Sequence, residues 1–362
     1  MPPDIILIIS DDLNYNILKS CYCPTIRNMQ SSGAEFVNTY NYGANTGAVC
    51  KSSRLMTLYG KKWDDSTKKD ALPTLLRKKN YDTFATGKWH LSQDRFYNNF
   101  DSYENIFFGG MMSSKSTITH TYDGTDIKLK KKYPGGIFTD SIVKYIKRKS
   151  DSDKPYFAYI AYTEPHDPLK MVDKYKAQNN ANLPKNFKYK HPFSFGQEHH
   201  RDERLMKRPL NKKRLLSNIK KYMTMVSYLD TQIKRITDVL TRPTMVIFTT
   251  DNGICQGNHG LLGKQNLYQE SIHLPLFIWG SNLNISGKYS QQIYLHDIYP
   301  IINNIVSEYK EDTKTPSINK LLDEYSSHDF ITFRFKDEIY AVIHNNWKLI
   351  YYRIIFKSLL IA

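Results

Sequence analysis

Cysteine is scarce in this chain: there are four in 362 residues, Cys21, Cys23, Cys50 and Cys255. That excludes a disulfide-dense scaffold, in which a short chain is stapled by many half-cystines. Cys21 and Cys23 are zinc-type ligands without a second pair to complete a site. Long apolar runs are missing as well. No stretch approaches the roughly 20 apolar residues that a membrane helix needs, and the apolar tail from Ile354 to Ala362 is too short to span a bilayer. Asp4 interrupts the N-terminus, and the apolar run beyond it reads as a core strand rather than a secretory leader. A reducing, intracellular setting is therefore the default expectation. Acidic groups are in deficit, 35 against 51 lysines and arginines, a net charge of +16. Basic stretches at Lys128 to Lys132, Lys144 to Lys149 and Lys185 to Lys221 would steer an anionic polymer. Abundant Lys, Asn, Ile and Tyr also fit a coding bias toward A and T. With no zinc finger, helix-turn-helix or RNP-like signature, nucleic acid is not the expected partner.

What is present suffices for one large core and a smaller satellite, since 40% of the residues are apolar. Asp4 to Ser10 is a short Ile-rich run of the kind found in buried parallel strands. Strands are also expected at Tyr81 to Thr86, Pro155 to Tyr162, Thr244 to Thr250 and Pro275 to Trp279. Pro24 to Gly33, Ala71 to Lys79 and Leu215 to Leu240 have helical spacing. The polar, proline-punctuated segment Asn179 to Asn211 reads as a long surface loop. Near the end, Phe330 to Phe335, Ile339 to His344 and Trp347 to Tyr352 read as antiparallel strands. The expected fold is α/β: a doubly wound, mostly parallel sheet with helices on both faces, plus a small C-terminal antiparallel sheet. The division is residues 1–325 for the α/β domain and 326–362 for the C-terminal subdomain.

Chemistry-bearing groups recur along this frame. Asp11-Asp12 follow the first strand, where ligands of open α/β sheets bind. Cys50-Lys51-Ser52-Ser53-Arg54, Gly87-Lys88-Trp89-His90-Leu91 and Glu164-Pro165-His166-Asp167-Pro168 come next. Thr250-Asp251-Asn252-Gly253 and His259-Gly260-Leu261-Leu262-Gly263-Lys264 close the series. Three carboxylates and an amide suit a hard divalent cation, which takes oxygen ligands. A cysteine, three basic side chains and two imidazoles suit attack on an anionic ester. Together they read as a metal-dependent hydrolase of sulfate or phosphate esters.

The order and spelling of these motifs, with Asp297-Ile298-Tyr299-Pro300, resemble the sulfatase family of the alkaline phosphatase superfamily from Pro3 to about Pro300. The resemblance implies that Asp11, Asp12, Asp251 and Asn252 bind one calcium ion. It implies that Cys50 is oxidised to formylglycine by a formylglycine-generating enzyme, with Arg54 supporting it. Lys88 and Lys264 match the lysines that grip sulfate oxygens, which stabilises spreading negative charge. His90 matches the base that helps release sulfate, and His166 the group beside the leaving oxygen. Asp167 and His259 are weaker candidates for supporting contacts. The chain departs from the family at Ser52, where Cys-x-Pro-x-Arg carries proline. It also stops soon after Tyr352, short of the family's usual tail, which leaves a truncated C-terminal subdomain as one reading. The implied substrate is an O-sulfate ester on an anionic small molecule or carbohydrate. Two alternatives stay open: a phosphodiesterase or phosphonate hydrolase of the same superfamily, and an inactive protein that binds sulfated glycans.

Overall fold

The computed structural model describes residues 2–111, 117–121, 124, 126–129, 133–309 and 317–353. The apolar tail from Ile354 and most of the basic stretch from Lys128 to Lys132 lie outside these residues.

Asp4–Ser10 is buried along its whole length because it is the middle of the main sheet. It pairs in parallel with Tyr156–Ala161 on one side and Thr244–Thr250 on the other. Asp82–Lys88 continues the parallel run beyond Tyr156–Ala161, and Ser102–Phe107 lies beyond that. On the opposite side the antiparallel strand Leu276–Ser281 follows Thr244–Thr250, then Ala34–Tyr40. Eleven strands make up this sheet.

Side chains alternate across a strand, so the first strand feeds both faces. Ile5, Leu7 and Ile9 enter one core with Leu58, Leu72, Leu76, Ile298 and Ile302, from the helices Val49–Tyr59, Leu72–Lys78 and Ile298–Glu308. Ile6 and Ile8 enter the other with Met29, Phe138, Ile142, Tyr222 and Ile233, from Pro24–Ser32, Gly135–Arg148 and Lys212–Thr237. Each such side chain contributes roughly 1.5–3 kcal/mol of burial. The fold is thus the doubly wound α/β arrangement expected. Helix Lys212–Thr237 begins at an Asn211 side chain that accepts the Arg214 N–H at 2.9 Å, a normal N-cap.

The C-terminal strands fall at Ile331–Phe335, Ile339–His344 and Trp347–Tyr352, antiparallel in sequence order. A fourth strand, Gly43–Ala44, joins this small sheet in parallel beside Arg334 and Phe335. At Gly43 (φ +112°) a Cβ would lie 2.1 Å from the Arg334 carbonyl oxygen, so only glycine permits the joint. One correction concerns Asn179 to Asn211. The segment is irregular apart from short 3-10 turns, as expected, but it is not only surface: Asn179, His191, Phe195, Asp202 and Glu203 are buried. The Glu203 carboxylate accepts the backbone N–H groups of Leu262 and Gly263 at 2.7–3.0 Å. Buried backbone donors need such partners, and a carboxylate inside a polar stretch supplies them. No helix among the described residues is long and apolar enough to cross a membrane.

Candidate active site

Strand register brings the site together. Ile9 lies opposite Ala161, Ser10 opposite Thr250, and Gly87 opposite Ala161. The four parallel strands therefore end at one level, and the residues just past them, Asp11-Asp12, Lys88, Glu164 to His166 and Asp251-Asn252, crowd the same edge. Helix Val49–Tyr59 points into this edge from one core face. Cys50 and Arg54 are four residues apart, so they share a side of the helix, and both are buried.

Cys50 Sγ sits 3.4 Å from Asp11 Oδ1, 3.8 Å from Asp12 Oδ1 and 3.0 Å from Lys264 Nζ. Lys264 Nζ also donates to both Asp12 oxygens at 2.6 Å, and Lys88 Nζ to Asp11 Oδ2 at 2.5 Å. Arg54 grips Asp251 Oδ2 through Nε at 3.1 Å and Nη2 at 2.9 Å, while its Nη1 donates to the Lys88 carbonyl and the Tyr159 hydroxyl. Asp251 Oδ1 accepts the Asp12 N–H at 3.2 Å. Asn252 Oδ1 accepts from Asn41 Nδ2 at 2.6 Å and from Ser53 Oγ at 3.3 Å. His166 Nδ1 lies 2.7 Å from the Asp167 carbonyl oxygen, which directs Nε2 into the pocket, 3.5 Å from Asp12 Oδ2. Ligand atoms of Asp11, Asp12, Cys50 and His166 all lie within 4.8 Å of one another.

These groups are electrostatically interlocked. Burial opposes the charge on Asp11, but Lys88, then His166 and Arg54, hold its carboxyl well below the usual range. Burial pushes Asp12 up to about 6 despite Lys264. Burial and then Asp251 raise the Cys50 thiol. His90 is pushed down to about 3 by burial, then by Lys88 and Arg54. Its backbone is left-handed (φ +58°), its Nδ1 is buried without a hydrogen-bond partner, and Gly110 abuts its Nε2.

All ten residues expected from the motifs thus lie at one strand-end edge, with His90 near Lys88 and Arg54. Asp167 lies beside His166 and is held by Arg201, one bond measuring 2.6 Å. His259 instead pairs with Glu270 at 3.2 Å and stacks on Tyr268. Sequence reasoning missed Asn41, Tyr159, Arg201, Asp202, Tyr222 and Gln265. Tyr222 donates to the Asp12 carbonyl at 2.7 Å and accepts the Asn14 N–H at 2.8 Å, bracing an Asp12 turn with φ +61°. Gln265, next to Lys264, donates to Asp202 at 2.9 Å. None of these carries a local motif; the Asp202-Glu203 pair inside a basic stretch was the one available signal. Beside the site a small cleft of about 30 Å³ is lined by Asp11, Tyr133, Pro134, His166, Asp167 and Lys170, among others.

A mostly parallel sheet with carboxylates, lysines and an imidazole gathered at its strand ends defines an α/β protein with a charge-lined pocket. The chain belongs to the sulfatase family, whose profile (Sulfatase) matches residues 3–305, within the alkaline phosphatase superfamily. It is 24% identical over 323 residues to the uncharacterized sulfatase YdeN of Escherichia coli (strain K12), covering 76% of this chain and 52% of that one. It is 23% identical to arylsulfatase J of Mus musculus, covering 95% of this chain and 58% of that one. The chain thus spans little more than half the length of these relatives. Among solved structures it is similar to BT4656 in complex with its substrate D-glucosamine-2-N,6-O-disulfate: TM-score 0.74 and 18% identity, over 97% of this chain and 89% of that one. The phosphonate monoester hydrolase SpPMH from Silicibacter pomeroyi is similar at TM-score 0.69 and 15% identity, over 97% and 87% of the two chains.

Proposed function

We propose that this chain is a calcium-dependent sulfatase that cleaves an O-sulfate ester, on a carbohydrate in preference to a neutral small molecule. The observation that carries this reading is Cys50, buried within 3.0 Å of Lys264 Nζ and 3.4 Å of Asp11 Oδ1. A side chain there faces both the group that would bind a cation and the group that would bind an anion.

The donor chemistry fits a hard ion. Asp11, Asp12, Asp251 and Asn252 offer oxygen only, the set that calcium takes. Charge supports the same reading. Three carboxylates (Asp11, Asp12, Asp251) are matched by three fixed cations (Arg54, Lys88, Lys264), so a divalent ion would leave the pocket at about +2, complementary to a sulfate ester. Calcium would supply electrostatic stabilisation, and formylglycine at position 50 would supply a hydroxyl nucleophile after hydration. The chain's own residues do the rest. Lys88 and Lys264 exchange their carboxylate contacts for sulfate oxygens and hold the charge that develops there. His166, its Nδ1 tied to Asp167, donates a proton from Nε2 to the leaving oxygen. His90, beside Lys88 and Arg54, is held neutral by burial, and its part in releasing sulfate rests on the family resemblance. Ser52 stands where the family carries proline; its hydroxyl donates to Asn45 at 3.3 Å, so the helix accommodates it, and conversion of Cys50 by a formylglycine-generating enzyme is the step to test.

A second reading, phosphonate or phosphodiester hydrolysis, draws on the likeness to the phosphonate monoester hydrolase. Peptide mass spectrometry of the Cys50 segment, followed by assays on an aryl sulfate, an aryl phosphate and a bis-aryl phosphate, separates the readings. Sulfate turnover lost in Lys88→Ala and His166→Ala supports the sulfatase. Preferred diester cleavage supports the second reading. A free Cys50 thiol in protein from its native host, with sulfated sugars bound but not cut, supports a binding protein.

A further inference from the structure

Outside the pocket, the described residues contain one other group of metal-ligand type held close together. His296 and Asp297 sit at the entry to helix Ile298–Glu308, and His328 immediately precedes the C-terminal strands. Their ligand atoms lie within 4.8 Å of one another. We propose that His296, Asp297 and His328 form a second metal site, for a zinc-type divalent ion, that clamps the start of the small C-terminal sheet to the main domain.

The distances suit an ion. Tetrahedral zinc with bonds of about 2.0–2.1 Å holds its ligands roughly 3.4 Å apart. Asp297 Oδ2 lies 3.0 Å from His328 Nε2, and Asp297 Oδ1 lies 4.0 Å from His296 Nε2. These two contacts run to different oxygens of Asp297, and one ligand atom from each of the three residues lies within 4.8 Å of the others, so small side-chain rotations would bring them onto one ion. Two imidazoles and one carboxylate are a common zinc ligand combination, leaving the fourth position to water. His296 Nδ1 is buried with no hydrogen-bond partner, so no hydrogen bond at that nitrogen holds the ring back from turning toward the ion. Asp297 is already oriented from outside, as metal-bound carboxylates usually are. Its Oδ2 accepts the Tyr294 N–H at 2.7 Å and its Oδ1 the Tyr325 hydroxyl at 3.1 Å. His328 is half exposed, which gives an ion a route in. Lys62 and Lys69 act on His296 as positive charges, so the site should bind more weakly than the same ligands in isolation.

The test uses the full chain with calcium saturating the oxygen-rich pocket. Titration calorimetry with zinc chloride should find about one equivalent bound, absent in His328→Ala and in His296→Asn. Zinc should raise Tm in wild type and not in either variant. His328→Ala alters a half-exposed side chain, so its own Tm without zinc should stay close to that of wild type. Cobalt bound at this site should give visible d–d absorption without a sulfur-to-cobalt charge-transfer band. Any of three results overturns the proposal: no zinc uptake by wild type, equal uptake and Tm shift in wild type and His328→Ala, or a charge-transfer band that assigns the ion to Cys50 or to the Cys21–Cys23 pair.

Discussion

Arg54 shows how much a single side chain organises here. Its guanidinium is buried and fans out to Asp251, the Lys88 carbonyl and the Tyr159 hydroxyl, using the rigid fork that lysine lacks. Arg54→Lys keeps the charge but leaves at least one of those acceptors without a donor. It should cost about 1–3 kcal/mol, read by urea unfolding, and a cost within error of zero would show that the fork is not needed. Arg201 acts at one remove. It is partly exposed and holds Asp167, which in turn fixes His166 Nδ1. Arg201→Ala should leave Tm nearly unchanged and lower kcat by about tenfold or more with little change in KM. A rise in KM alone would mean that Arg201 contacts substrate instead. Glu164 tests the pH argument. Burial raises it from 4.5 to about 7, against hydrogen bonds from Gly135 and Thr163 that lower it. The folded state therefore holds a proton that the unfolded state has lost between those values. Stability should fall as pH rises from 4.5 to 7, by an amount on the order of 3 kcal/mol. Glu164→Gln should flatten that slope in denaturation curves taken across the range, and an unchanged slope would assign it to another group, such as Asp4.

At the scale of elements, the central strands were legible because a strand buried on both faces reads as an apolar run, and the C-terminal strands because β-branched and aromatic residues cluster in short runs between turns. Thr244–Thr250, Ile339–His344 and Trp347–Tyr352 fall where the pattern places them. Gly43–Ala44 was not legible: two residues are too few for any periodicity, and their partner lies about 290 positions away, at Arg334. The same limit hid Arg201, Asp202 and Tyr222, whose importance comes from long-range contacts and not from neighbours in sequence. Gly87 stands between the two cases, since its motif was readable but its mechanical reason was not. It has φ +95°, and a Cβ would lie 2.0 Å from the Ala161 carbonyl oxygen, beside a register shift in the strand that ends at Lys88. Gly87→Ala must move the strand, and Lys88 with it. Activity should drop by about a hundredfold or more, and the strand pairing should show faster amide hydrogen exchange at Phe84 to Lys88. Normal activity with normal exchange would mean that the sheet absorbs the strain without disturbing the site.

For the whole molecule, the decisive quantity is the contrast between a net charge of +16 and a pocket whose fixed charges cancel. The excess lies elsewhere on the chain, in helices such as Gly135–Arg148 and Lys212–Thr237 with their many lysines and arginines. Those charges attract an anion over long range and are screened by salt, whereas the buried pocket charges are screened far less. Salt should therefore separate capture from chemistry. Raising ionic strength from about 0.01 M to about 0.15 M shortens the screening length from roughly 30 Å to 8 Å. On a polysulfated oligosaccharide, kcat/KM should fall by about tenfold across that range while kcat changes little. On a singly charged aryl sulfate, kcat/KM should fall much less, because each added substrate charge multiplies the steering energy. Stopped-flow or steady-state assays with calcium held constant would read both ratios. An equal loss for the two substrates would place the salt effect inside the pocket, on the contacts of Lys88 and Lys264. No loss for either would mean that the basic faces do not guide substrate, leaving coding bias as the sufficient reason for the chain's lysine content.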